Sequence, residues 1–326
     1  MIRMSLKIGA ISAMALYASS ASAAGVVLTG NYLQVSVSDQ GTFGQGGGVR
    51  PAFVHDPTGT GTFDLDTDYI APGIPHDGFS LIASQFGFTQ NENAGINGFG
   101  FGPVTTLLGA DARGYANAVS WTGGLAGFLS ITNSYFFNPG DERVLIETSI
   151  LALSDLTNLA FARSVDPDSG TTTSINQRGN ATLSIDDFVG SESVANGRTL
   201  ALVNINDGGY AHTTQINASC CSNINPYDVL NHVGGDLGLS STGDHGLNLA
   251  YNIGSLSQGS GGDFPVRLCG RARPRRHRDS AAQRRDSRAG HVADDDSRLR
   301  CDRRHDAREE AAERLGELRL TRRNSN

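Results

Sequence analysis

The chain has 326 residues, 41 of them glycine and only 18% charged, with a formal net charge of −7. An ordinary soluble domain is about 25% charged and about 7% glycine, so this composition favours many turns and excludes a disulfide-dense miniprotein or a uniformly basic nucleic-acid binder. The net charge also averages two unlike parts: residues 1–266 carry eight basic and 22 acidic side chains, while the last sixty carry 18 and 11.

Arg3 and Lys7 open the chain, Ile8 to Ala18 is apolar, and Ala21-Ser22-Ala23 supplies small residues. That order is the signature of a secretory signal peptide cleaved before Ala24, and its apolar run is shorter than the ~20 residues a membrane helix needs. Residues 1–23 are therefore expected to be a signal, and the mature chain to be exported to the periplasm, the outer surface or the medium. No later stretch reaches spanning length. No series of ~10-residue strands with aromatic girdles suggests a membrane barrel either.

From Ala24 the dominant period is two. Leu33, Val35 and Val37 alternate with Gln34, Ser36 and Ser38, predicting a strand with one buried and one wet face. Phe128–Phe137 alternates in the same way, Asn138-Pro139-Gly140-Asp141 supplies turn chemistry, and Arg143–Leu153 resumes the alternation, which predicts a hairpin. Further strands are predicted at Leu159–Arg163, Ala181–Ile185, Thr199–Ile205 and Leu247–Leu256. Long helical periodicity is missing. Half-apolar strands need a covering layer, so residues 24–264 are expected to form an all-β antiparallel sandwich, large or double, with Gly-rich loops at Gly41–Gly48 and Gly95–Gly102. Those loops read as connections needing unusual backbone angles rather than as a binding rim.

Several ordered segments belong together: Asn31-Tyr32-Leu33-Gln34-Val35-Ser36-Val37-Ser38 with Gly41, Asp56-Pro57-Thr58-Gly59, Asp68-Tyr69-Ile70-Ala71-Pro72-Gly73 with Gly78-Phe79-Ser80, Ile131–Asn138, Ala152–Leu159 and Ala162–Asp168. This set resembles the exported N-terminal β-rich regions of bacterial surface proteins that carry an autotransporter barrel or a C-terminal sorting anchor. The resemblance covers roughly residues 26–264. It implies an extracytoplasmic β domain, and it transfers no catalytic residue. Neither a barrel nor an anchor follows in this sequence.

Two acidic loops are candidates for Ca²⁺. Asp64, Asp66 and Asp68 are spaced D-x-D-x-D, which can converge carboxylates on a hard cation, although Tyr69 and Pro75 stand where an EF-hand needs Gly and Glu. Solvated turn acids are the bland alternative. Asp166-Pro167-Asp168 follows a predicted strand directly, and there Arg163 is available simply to pair with one acid. Ca²⁺ is the one cofactor the sequence suggests. His55, His76, His212, His232 and His245 form no HExxH, and no G-x-S-x-G occurs, so familiar zinc- and serine-hydrolase signatures are missing. Cys220 and Cys221 are adjacent, and a bond between them would close a strained ring. The only other cysteines, Cys269 and Cys301, lie in the tail.

From Pro265 to Asn326 there is no Phe, Tyr, Trp, Ile, Met or Lys, and Arg271, Arg273, Arg275, Arg276 and Arg278 crowd one window. Residues 265–326 are expected to be of low order, with at most a short helix at Asp306–Leu320. Sliding one base along codons for Leu268 to His277 permits a strand-like continuation, so an out-of-frame translation is favoured over an Arg-rich arm for an anionic partner. The functional expectation is an exported, noncatalytic surface module for an extracellular protein or glycan, with no nucleic acid partner. Its alternative is a carbohydrate-active or carbohydrate-binding sandwich using loop carboxylates.

Overall fold

A computed structural model describes residues 25–44, 50–73, 76–168, 174–181, 184–205, 209–222, 224–232 and 235–272. The expected signal segment, and the tail helix at Asp306–Leu320, lie outside the described residues. In chain order the strands are β1 (Val26–Thr29), β2 (Leu33–Val37), β3 (Phe53–His55), β4 (Asp77–Ala83), β5 (Gly87–Glu92), β6 (Val104–Thr106), β7 (Asn117–Leu125), β8 (Leu129–Phe137), β9 (Arg143–Ala152), β10 (Leu156–Val165), β11 (Ser174–Asn180), β12 (Ile185–Ser193), β13 (Arg198–Asn204), β14 (Ala211–Asn217), β15 (Ser240–Gly243), β16 (Gly246–Leu256) and β17 (Gly261–Ala272). A short helix, α1, spans Pro226–Leu230, with Asn225 capping its start by accepting the Tyr227 N–H.

The protein is all-β and antiparallel, as its alternating sequence predicts. A five-stranded sheet of order β14-β16-β10-β4-β5 faces a nine-stranded sheet of order β15-β11-β12-β13-β17-β9-β8-β7-β6, and β1-β2-β3 form a third, smaller sheet. One continuous core fills the space between them, with Phe79, Phe161 and Tyr251 from the five-stranded side and Trp121, Tyr135 and Ile146 from the other. Phe79 lies edge-on to Trp121, ring centroids 5.6 Å apart. No helix among the described residues is long and apolar enough to cross a membrane.

The β8–β9 hairpin forms as expected, in a register that pairs Ile131 with Ile150 and Tyr135 with Ile146. Asn138 and Asp141 close its turn: the Asn138 N–H donates to the Asp141 carboxylate, and the Asp141 N–H donates to the Asn138 carbonyl. Three expectations need correction. Ala181–Ile185 is not one strand: the Ser184 N–H donates to the Ala181 carbonyl in a turn, Ser184 takes a left-handed φ of 51°, Ile185 opens β12, and residues 182 and 183 lie outside the described residues. Strand β2 has no wet face at Ser36, which is buried and donates to the Pro51 carbonyl. The third concerns the composition break: β17 does not stop at Phe264 but runs on to Ala272, with Val266 and Leu268 buried in the core.

That strand sits between β9 and β13, pairing Leu268 with Val144 on one side and with Leu202 on the other. Pro265 is tolerated in it because the β13 ladder begins one residue later, at Val266. Alternation of Val266 and Leu268 with Arg267 and Cys269 is what carries the strand past the boundary; the arginine content hides it in composition counts. Gly270 is needed there, since a Cβ would press on the Phe53 ring.

Candidate functional site

Strand alternation sends consecutive side chains of β10 to opposite faces. Phe161, Arg163 and Val165 point into the core, where Arg163 pairs with Asp77 of β4. Both partners are essentially inaccessible to solvent. Arg163 also donates to the Tyr135 hydroxyl and lies 5.5 Å from the Phe43 ring centroid. Burial works against the guanidinium, but Asp77 and then Tyr135 more than offset it and hold Arg163 charged. The expected pairing of Arg163 with an acid of the Asp166-Pro167-Asp168 turn therefore does not occur; the two lie on opposite faces of the sheet.

Ser164 and Asp166 take the outer face. Ser164 Oγ donates to Asn248 Oδ1 at 2.7 Å, and the Asp166 N–H donates to the His76 carbonyl at 2.9 Å, extending the β10–β4 ladder. In this register His76 stands beside Asp166 on the outer face, and Glu92 of β5 comes next, its Oε2 3.7 Å from His76 Nδ1. Helix α1 covers the same face further along, packing Val229 on Ala162 and Ala250.

Beyond the end of β10, Asp166, Asp168 and Asp244 converge. Each offers a carboxylate oxygen, and these oxygens lie within 4.8 Å of one another. Asp166 and Asp168 are almost completely buried, whereas Asp244, on the β15–β16 turn, is exposed. Asp166 Oδ1 and Asp168 Oδ1 are buried and have no hydrogen-bond partner. Burial raises the Asp166 carboxyl to about 8, with repulsion from Asp168 and Asp244 adding to it; burial and then Asp244 raise Asp168 to about 7. Gly73 turns underneath at a φ of 72°, and a Cβ there would run into Asp168 Oδ2.

The segment after β14 closes over Asp166. Cys220 and Cys221 are bonded to each other, so neither needs a partner in the tail. Cys221 Sγ lies 3.1 Å from Asp166 Oδ2. A disulfide sulfur carries no proton, so the only hydrogen that contact can hold belongs to the carboxyl. One oxygen of Asp166 and the two sulfurs also lie within 4.8 Å of one another.

The other predicted acids do not converge. Asp64 caps a 3₁₀ turn by accepting the Asp66 N–H, and Asp66 pairs with Arg50 at the surface. Asp68 is buried and accepts backbone N–H groups of Ala52, Phe53, Ile70 and Ala71. It is a structural acid that fastens β3 to the turn beyond it. His55 pairs with Glu142 and His232 with Asp236, away from the cluster. Sequence reasoning found Asp166 and Asp168 but not Asp244, nor His76 and Glu92 as their neighbours. Only strand register joins residues so far apart in the chain.

His76 is buried, with neither ring nitrogen hydrogen-bonded. Burial, with Arg163 adding, pulls its imidazole down to about 4. It is therefore neutral at physiological pH, and burial likewise raises the Glu92 carboxyl beside it.

No family model matches the chain, and no curated protein matches it. Among solved structures it is similar to a mutant of the heparan sulfate lyase HepC from Pedobacter heparinus, at 8% identity and a TM-score of 0.40, over 77% of this chain and 36% of that one. It is also similar to a variant of the GH36 α-galactosidase AgaA from Geobacillus stearothermophilus, at 11% identity and 0.40, over 76% and 40%. A galactose mutarotase-like protein from Lactobacillus casei gives 8% identity and 0.39, over 76% of this chain and all of that one. The chain thus spans little more than a third of the length of the lyase.

Proposed function

We propose that the protein is an exported β-sandwich module that binds its ligand without turning it over, and that Asp166, Asp168 and Asp244 hold a Ca²⁺ ion at the binding face. The observation that carries this reading is the pair of buried, unpartnered oxygens, Asp166 Oδ1 and Asp168 Oδ1, within a convergent set of three carboxylates. Three acids so close repel one another until a proton or a cation intervenes. All the cluster's donors are oxygens, as a hard ion requires, and Ca²⁺ bonds of about 2.3–2.6 Å span oxygens up to about 5 Å apart. The chain would supply three of the six to eight ligands Ca²⁺ takes, leaving positions for a glycan hydroxyl or a partner's carbonyl. The N-terminal signal pattern and the likeness to bacterial surface proteins give the setting, a compartment where a Cys220–Cys221 disulfide persists.

The test is the melting temperature of the chelated protein on adding excess Ca²⁺, since an ion that binds only the native state must raise it. Asp166→Asn and Asp168→Asn should abolish the rise, and Asp64→Ala and Asp66→Ala should leave it. An unchanged melting temperature in the wild type refutes the site. One observation favours a second reading, carbohydrate chemistry at the same carboxylates. A carboxyl raised to about 8 keeps its proton at neutral pH, the state a general acid needs. Saccharide turnover lost in Asp166→Ala and Asp168→Ala would establish that reading, and glycan-array binding without turnover would establish the first.

A further inference from the structure

We propose that Cys220–Cys221 is a redox selector that gives Asp166 two mutually exclusive metal partners: a hard cation shared with Asp168 and Asp244 when the disulfide is closed, and a soft ion such as Zn²⁺ shared with the two cysteine sulfurs when it is open. The oxidised half rests on the Ca²⁺ reading above; the reduced half does not.

The geometry that carries it is the double membership of one side chain. Asp166 lies within ligand-sharing distance of Asp168 and Asp244, and separately of Cys220 and Cys221. Its Oδ2 touches Cys221 Sγ at 3.1 Å, while its Oδ1 has no partner. In the closed state the sulfurs are bonded to each other and offer a cation little, so the oxygen set decides, and oxygen-only sites take hard ions. Reduction by an external dithiol delivers two electrons and two protons: the S–S bond breaks, two thiols form, and the dithiol becomes a disulfide. Zn²⁺ then displaces both thiol protons and takes two thiolates and one carboxylate oxygen. Three protein ligands with a fourth position left to water is an ordinary open zinc arrangement. Both cysteines are only half buried, so a reductant reaches them without unfolding the sheet. An ion held by Asp166 in one site draws that carboxylate from the other, which makes the two occupancies compete.

The experiment titrates Zn²⁺ and Ca²⁺ separately into the full mature chain, followed by thermal shift, before and after reduction with a phosphine that does not itself bind zinc. Reduction should lower the Zn²⁺ midpoint by at least about tenfold, the scale on which changes around a metal site alter affinity. Saturating Zn²⁺ should then suppress the Ca²⁺ response. Cys220→Ser/Cys221→Ser should show no Zn²⁺ gain on reduction. Should that variant fail to fold, alkylating the reduced thiols of the wild type must remove the gain instead. Equal Zn²⁺ midpoints before and after reduction, or a gain that survives the double substitution or alkylation, overturns the selector. Asp168→Asn separates the two ideas: it should lose the Ca²⁺ response yet keep the Zn²⁺ gain, whereas Asp166→Asn should weaken both. A Zn²⁺ gain in a protein that never responds to Ca²⁺ would refute the cation reading and retain the thiolate site.

Discussion

Replacing Asp77 by Asn should be among the most damaging isosteric changes available to this protein. The substitution keeps the volume and an oxygen that can accept the Phe43 N–H, which Asp77 Oδ2 holds at 2.7 Å. It removes the charge that balances Arg163, whose side chain is 1% exposed and enclosed by Phe43 and Tyr135. Leaving one ion of a buried pair uncompensated costs about 3–5 kcal/mol. In a domain of this size, about 2–4 °C of melting temperature is lost per kcal/mol, so a fall of roughly 6–20 °C is expected. Urea unfolding monitored by fluorescence of Trp121 would give the free energy directly, with an unchanged slope showing that the unfolded state is not the cause. The decisive comparison is Asp77→Leu/Arg163→Met, which removes both charges. Its cost should fall to about 1–3 kcal/mol, the penalty for leaving the Phe43 N–H unpaired. The reasoning is refuted if Asp77→Asn lies within about 1 kcal/mol of wild type, or if the double substitution costs more than the single one.

Two other outcomes follow from the cluster. Gly73→Ala should destabilise the fold by about 1–2 kcal/mol for the left-handed conformation alone. Because its Cβ displaces Asp168 Oδ2, it should also abolish the Ca²⁺ response while every carboxylate remains, which calcium titration of the variant will check. The pH dependence has a definite sign in chelated protein. The Asp166 and Asp168 carboxyls, ordinarily near 3.8, are raised in the folded state to about 8 and about 7. The native state therefore holds protons the unfolded chain has released, and the stability these groups give is present below about pH 4 and lost as pH climbs through 7 and 8. Wild type should fall relative to Asp166→Asn over that window in denaturant melts, and saturating Ca²⁺ should flatten the difference. Parallel profiles in chelator would contradict the placement of Asp166.

Period-two alternation was legible wherever apolar residues marked one face, as in β8, β9 and β16. It failed at β11 and β12, where Asn176, Arg178 and Ser191 are buried polar groups and Val189 alone marks the inward face with an apolar core residue. At Asp166-Pro167-Asp168 the sequence placed two acids directly after a strand end, and the fold brings their carboxylates together there. Its completion by Asp244 depends on Val165 pairing with Leu247, and the neighbouring His76 on Val165 pairing with Asp77. No spacing within one segment encodes such pairings. The D-x-D-x-D run misled for the opposite reason. Backbone N–H groups compete for the same oxygens that a cation would use, and at Asp68 they win.

The position of β17 has a consequence for synthesis. The last strand among the described residues occupies the interior of the nine-stranded sheet, between β9 and β13. While the chain is still emerging, β6 to β9 and β11 to β13 can each assemble as a meander, but each presents a bare row of peptide groups to the other's missing neighbour. Those two half-sheets cannot be joined until residue 272 has left the ribosome. A nascent chain halted before Gly261 would expose two sticky borders at once, each able to recruit the same border of another copy. Holding the polypeptide extended until β17 is available would serve this topology better than letting it fold stepwise from the N-terminus.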